Sequence, residues 1–185
     1  LSIKTALIIA LPEEAEGINS HPIYLSGCGK VNATIATMRA IRDGYRSIIN
    51  FGSAGAITKV SGLIEVTGYV DRDIDATALN YNLGQTPFEE GVIIGHKGVI
   101  CGTGDKFVTQ KPDINCDIVD MEAYAIAKTC LKEGAQFRSF KYISDNANKD
   151  SGSDWNKNLN KGNKLFQQLL NEIELKCNPI YGTST

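Results

Sequence analysis

The sequence has no excess of charge of either sign: 19 Lys and Arg stand against 21 Asp and Glu, a formal net charge of -2. A nucleic-acid-binding surface normally needs a strong basic excess, so none is expected. No apolar run reaches the roughly 18 residues of a membrane span, and the opening segment reads as a core strand rather than a signal peptide. There are only two histidines, His21 and His96, far apart along the chain. They are too few for an ordinary zinc site, and no metal is expected. The five cysteines (Cys28, Cys101, Cys116, Cys130 and Cys177) form no Cys-x-x-Cys pair. An odd, scattered set in a chain large enough to do without disulfides reads as reduced thiols in a cytoplasmic protein. Neither G-x-G-x-x-G after the first strand nor G-x-x-x-x-G-K-[ST] occurs, which removes the simplest dinucleotide and phosphate-loop readings.

What is present is an ordinary globular composition, 42% apolar and 22% charged over 185 residues, enough for one domain with a real core. Residues 1–178 read as that domain and 179–185 as a flexible tail. Ile3 to Leu11 is apolar without alternation, which suits a strand buried on both faces. Pro12 and the acidic Glu13, Glu14 and Glu16 begin a short helix. Ile23–Ser26 is a second strand and Gly27–Lys30 a turn. Val31–Arg42 is a helix with Val31, Ile35, Met38 and Ile41 on one side, ended by Asp43-Gly44. Ser47–Phe51 is a strand running into a small-residue turn, Gly52-Ser53-Ala54-Gly55. Ile64–Val70 is another strand, and Asp71–Phe88 is polar and long enough to be an active-site loop. Gly91–Ile94 and Gly98–Gly102 read as strands joined by a hairpin. Asp117–Asp120 is a short strand end, Met121–Lys132 a helix closed by Gly134, and Phe137–Ser144 the last strand. Ser153 or Asp154 caps a final helix whose apolar face is Trp155, Leu159, Phe166, Leu169, Leu170 and Ile173. The fold class is α/β: one domain with a central mixed, mostly parallel sheet flanked by helices.

In open α/β sheets ligands bind beyond the carboxyl ends of strands. Four segments stand there: Leu11–Glu14, Gly52–Gly55, Thr103–Phe107 and Ser144–Asn146. Three acidic residues at such junctions invite a functional reading. Each also has an ordinary one: Glu14 as an exposed first-turn glutamate, Glu122 as a helix-dipole partner, and Asp145 as a cap or Asx-turn residue. Sequence order alone does not bring the three together.

Seven segments in order resemble the nucleoside phosphorylase and nucleosidase superfamily, most closely the 5'-methylthioadenosine/S-adenosylhomocysteine nucleosidases, in a shortened form. They are Ala10-Leu11-Pro12-Glu13-Glu14, Ser26-Gly27-Cys28-Gly29-Lys30-Val31-Asn32-Ala33, Ile49-Asn50-Phe51-Gly52-Ser53-Ala54-Gly55, Gly84-Gln85-Thr86-Pro87, Thr103-Gly104-Asp105-Lys106-Phe107, Val119-Asp120-Met121-Glu122-Ala123 and Ile143-Ser144-Asp145-Asn146-Ala147. The resemblance implies that Glu14 activates the attacking water and that Asp145, supported by Ser144, serves the purine N7. It implies that Glu122 grips the ribose hydroxyls, with Met121 and Ser53 beside the sugar, and that Phe107 stacks on the base. It also implies a small-molecule purine nucleoside as the binding partner, a homodimer, and no cofactor.

The chemistry is consistent with those roles. Breaking an N-glycosidic bond builds positive charge on the sugar and negative charge on the base. Protonating N7 improves the leaving group, and a second, ionised carboxylate takes a proton from the attacking water. A carboxylate on the sugar hydroxyls favours the cationic transition state. Phosphorylases of this superfamily bring an arginine just before the Gly-Ser segment, where this chain has Asn50; water is therefore the expected nucleophile. A phosphorylase and an inactive nucleoside-binding protein are the competing readings. The chain also departs from the family. It is shorter between Glu16 and His21, lacks room for a helix within Phe88–Val99, and is trimmed at Thr109–Cys116. It carries Arg72 where the nucleosidases often have histidine and Leu79 where they have an aromatic. These changes leave the 5' substituent open.

Overall fold

In the computed structural model, which describes residues 3–96, 98–147, 158 and 161–177, the chain opens with β1 (Thr5–Ile9), the one-turn helix α1 (Pro12–Ala15), β2 (Ile23–Leu25) and α2 (Lys30–Arg42). There follow β3 (Ser47–Ala56), β4 (Leu63–Val66), β5 (Gly68–Asp71), β6 (Ile94–Gly95), β7 (Ile100–Thr103) and β8 (Ile118–Asp120). The last elements are α3 (Ala123–Glu133), β9 (Gln136–Asp145) and α4 (Lys161–Cys177). The nine strands make one sheet in the order β2-β1-β3-β8-β7-β5-β6, with β9 joined to β3 and β4. Five pairings are parallel and three antiparallel, the mixed, mostly parallel α/β sheet expected.

β1 shows why its sequence does not alternate. Ala6 and Ile8 face a cluster with Ala33, Ala36 and Ala40 of α2 and Ile126 of α3. Leu7 and Ile9 face the other side, against Phe51, Phe140, Phe166 and Leu170. Both faces are covered, so Ala6 to Ile9 are all apolar and buried. Phe166 of α4 stacks on Phe51, ring centroids 4.1 Å apart, and Leu169 and Ile173 pack at the edge of that cluster. The expected cap at Ser153 or Asp154, the residues Trp155 and Leu159, and the tail beyond residue 178 lie outside the described residues.

Four local expectations are corrected. The buried face of α2 is Ala33, Ala36, Thr37, Ala40 and Ile41; Val31, Ile35 and Met38 are exposed, Val31 by 70%. Small side chains let α2 approach the sheet and α3 closely, so the bulkier stripe is turned outward. Gly52–Gly55 is not a turn, because β3 continues through it to Ala56, with a shift in its register against β9 between Ala54 and Gly55. The segment Ile64–Val70 is two strands: β4 pairs β9 while β5 pairs β7, the chain changing partners at Thr67. Nor do β6 and β7 form a hairpin, since β5 lies between them. Gly95 and Gly98 take positive φ where the backbone crosses Thr67, and a Cβ on either would strike that residue.

Candidate active site

The register of β3 opens the site. Its first half, Ser47–Phe51, has β1 on one edge; its end, Gly55 and Ala56, has β8 on that same edge, since β9 runs along the other from Ser47 to Gly55. Between the end of β1 and the start of β8, Gly52, Ser53 and Ala54 keep only β9 as a paired neighbour. On that edge no strand follows β1 until β8, and a cavity lies there. It is lined by Ala10, Leu11, Glu14, Ser53–Gly55, Phe107, Met121, Glu122, Ser144 and Asp145, among others.

All seven residues picked from the sequence therefore meet at one cavity, and the four strand-end segments all contribute to it. Glu14, Glu122 and Asp145 are 4%, 6% and 8% exposed; Met121 is half-buried and Phe107 exposed. Of the seven quoted segments, Gly84–Pro87 contributes no lining residue; its Thr86 instead meets Lys128 and Tyr124 of α3.

Glu14 is not an exposed first-turn residue. Its Oε1 accepts from Ser53 N at 2.8 Å and Ser53 Oγ at 2.7 Å, using the backbone N–H that the split in the sheet leaves open. Its Oε2 accepts from Leu11 N at 3.3 Å. Gly52 lies against these groups: a Cβ there would make ordinary contact with Glu14 Oε1 at 3.4 Å and Lys141 Nζ at 3.5 Å. At Gly55 the need for glycine is steric, since a Cβ would come within 2.9 Å of Asp145 Oδ1.

Glu122 is the N-cap residue of α3, but its side chain makes no capping hydrogen bond. That task falls to Asp120, whose Oδ2 accepts from Ala123 N at 2.8 Å, and to Thr103, whose Oγ1 accepts from Tyr124 N at 2.9 Å. The Glu122 carboxylate is left to the cavity, where Oε1 accepts from Gly29 N at 3.0 Å. Burial, and then the Asp120 and Glu14 charges, raise its pKa to about 7 against the opposing pull of Lys141 and Gly29 N–H. Asp145 serves two ends. Its Oδ1 accepts from Ala147 N at 2.8 Å, the Asx-type turn its position suggested, while Oδ2 accepts from Ser144 Oγ at 2.8 Å.

Sequence reasoning missed the buried ion pair behind these groups. Lys141 Nζ lies 2.8 Å from Asp120 Oδ2, both side chains almost fully enclosed. Burial opposes the Lys141 charge, but Asp120 foremost, then Glu122, outweigh it and hold the ammonium protonated. Burial likewise opposes the Asp120 charge, and Lys141, Thr103 Oγ1 and Ala123 N overcome it and hold the carboxyl below its usual range. A buried lysine needs a counter-charge, but β9 mixes polar and apolar residues, with Arg138 and Ser139 close by, so nothing local marked Lys141 as the buried one. Arg72 also lines the cavity; it stands in the Asp71–Phe88 segment read as an active-site loop, but no role was assigned to it.

Residues 61–173 match the family model of the phosphorylase superfamily. A 5'-methylthioadenosine/S-adenosylhomocysteine nucleosidase of Staphylococcus carnosus is 31% identical, the alignment covering 82% of this chain and 79% of the relative. The enzyme of that name from Anoxybacillus flavithermus is 32% identical over 80% of this chain and 79% of its own. Among solved structures, the 5'-methylthioadenosine/S-adenosylhomocysteine nucleosidase of Helicobacter pylori superposes with a TM-score of 0.84 at 21% identity, covering 94% of this chain and 98% of that one. The futalosine hydrolase of the same organism superposes with a TM-score of 0.84 at 20% identity, with 94% and 98% covered. At these identities the structural likeness is one of fold.

Proposed function

Because the chain belongs to the phosphorylase superfamily, we infer that it hydrolyses the N-glycosidic bond of purine nucleosides such as 5'-methylthioadenosine or S-adenosylhomocysteine, releasing free base and sugar. The observation that carries this reading is the meeting of Glu14, Glu122 and Asp145, from three separate parts of the chain, as buried carboxyl groups around one cavity. Asp145 donates a proton to the purine N7 as the C–N bond breaks. Glu14, oriented by Ser53, takes a proton from the water whose oxygen joins the anomeric carbon. Glu122 accepts from the sugar hydroxyls and stabilises the cationic ring. Met121 and Ser53 flank the sugar, Ser144 holds the Asp145 carboxyl, and Phe107 supplies flat apolar area for the base.

Two observations favour water over phosphate. Asn50, at the position where phosphorylases bring arginine, is buried and committed: its Nδ2 donates to Ile8 O at 3.0 Å and its Oδ1 accepts from Ser139 Oγ at 3.0 Å. Arg72 lines the cavity, but its guanidinium is engaged by backbone carbonyls. The test is release of free base from methylthioadenosine, adenosylhomocysteine, adenosine and inosine, with and without phosphate. Turnover without phosphate is expected; a strict phosphate requirement with sugar 1-phosphate as product would overturn hydrolysis.

The raised pKa of Glu122, about 7, sets a pH dependence. As pH falls through that value the carboxylate protonates and accepts less well from the sugar hydroxyls. We expect kcat/KM of the free enzyme to decline on the acid side of neutrality, and this limb to vanish in Glu122→Gln. A limb that persists unchanged in the variant assigns the titration to another group.

The exposed α2 stripe of Val31, Ile35 and Met38 supports the expected homodimer. Sedimentation equilibrium should give twice the chain mass, reduced to one by Met38→Glu, and a monomeric parent protein would end that proposal. The described cysteines Cys28, Cys101, Cys116 and Cys130 are free thiols, which supports a cytoplasmic location. No helix among the described residues is long and apolar enough to cross a membrane.

A further inference from the structure

Phe107 lies in a segment that no strand ladder secures, since β7 ends at Thr103 and residues 104–117 are irregular. What secures it is Arg72. Its Nε donates to Gly102 O at 3.3 Å, and its Nη2 donates to Gly104 O at 3.0 Å and to Lys106 O, the carbonyl next to Phe107. The same Nη2 lies 3.5 Å from Asp120 O, at the head of the segment carrying Met121 and Glu122. The Arg72 side chain is 6% exposed, and the loop is shaped around it: a Cβ on Gly104 would lie 2.7 Å from Arg72 Cζ. Neighbouring groups complete the brace. Asp105 N donates to Asp73 Oδ2, Asp105 Oδ1 accepts from Lys30 N at the start of α2, and Lys30 Nζ reaches Asp71 and Asp73.

We propose that Arg72 is a positioning residue for the purine end of the site: its guanidinium, spread over alternate carbonyls of the 102–106 segment, holds Phe107 where it stacks on the base. A planar fork with several fixed N–H donors spans carbonyls that lie apart along the chain; an ammonium, a single point of donation, does not. The proposal rests on the reading of Phe107 as the stacking residue. Arg72 touches neither the leaving nitrogen nor the attacking water in this scheme. Its loss therefore weakens binding of base and nucleoside and leaves the bond-breaking step largely intact.

The test is a double-mutant cycle on adenine affinity by calorimetry, with KM and kcat for methylthioadenosine measured alongside. Stacking on one aromatic is worth roughly 5- to 100-fold in affinity, so Phe107→Ala should raise the adenine Kd by that order. Arg72→Gln should raise Kd and KM by a similar factor with kcat little changed, and the double variant should bind no more weakly than Phe107→Ala alone. Arg72→Lys should fall between Arg72→Gln and the parent, with faster amide hydrogen exchange confined to residues 104–108. If Arg72→Gln does not fold, Arg72→Lys enters the same cycle. Additive single effects, or an Arg72 variant with parental affinity, overturn the positioning role while Phe107 stands. A Phe107→Ala variant with parental affinity overturns the stacking reading, and the Arg72 proposal with it.

Discussion

Replacing Glu14 by glutamine is expected to lower kcat by roughly 10²- to 10⁴-fold, the range for removing one general acid–base group, while KM changes little. The substitution keeps the shape and an acceptor oxygen for Ser53 N and Ser53 Oγ, so the local backbone has no reason to move. It removes the capacity to take a proton from water. Because the amide sits where Oε2 now accepts from Leu11 N, a modest loss of thermal stability should accompany the variant, and denaturation curves will separate that cost from the chemistry. A single-turnover rate near that of the parent would show that Glu14 is not the base, and would leave the nucleosidase reading without its water-activating group.

Asp145→Asn is the second large effect, on the same order of roughly 10²- to 10⁴-fold, and it is selective in a way that Glu14→Gln is not. Asparagine preserves Oδ1 for Ala147 N, and the Ser144 hydroxyl can turn to accept where it now donates. The fold is kept and the proton for N7 is lost. A riboside whose leaving group departs without protonation, such as a nitrophenyl riboside, should therefore be cleaved by Asp145→Asn at nearly the parental rate and remain slow with Glu14→Gln. Equal impairment of Asp145→Asn on both kinds of substrate would exclude the N7-acid role.

The contrast between these residues and the rest of the site bears on what a sequence reveals. Glu14, Glu122 and Asp145 stand within motifs whose order was recognisable, and each stands at an element boundary that local rules identify. Lys141 stands in none of them. It is one of several polar residues in a mixed strand, and its meaning depends on Asp120, which a different strand carries. Arg72 was visible only as a departure from the nucleosidase pattern, because its partners are carbonyls, which have no sequence identity. The glycines of Gly52–Gly55 were misread for a related reason. A positive-φ turn and a close approach to a carboxylate both favour glycine, and only the surrounding elements tell them apart.

By itself the sequence determined the strands and helices whose periodicity or end signals are local: β1 buried on both faces, α3 closed by Gly134, and an α/β order with the candidate site segments at strand ends. Tertiary structure decided which face of α2 is buried, which strand lies between β6 and β7, and where β3 exchanges β1 for β8 along one edge. That exchange leaves Ser53 N open to Glu14 and gathers the three carboxyl groups. Pairing across a sheet depends on registers and steric fits between segments distant in the chain, and no local pattern encodes them.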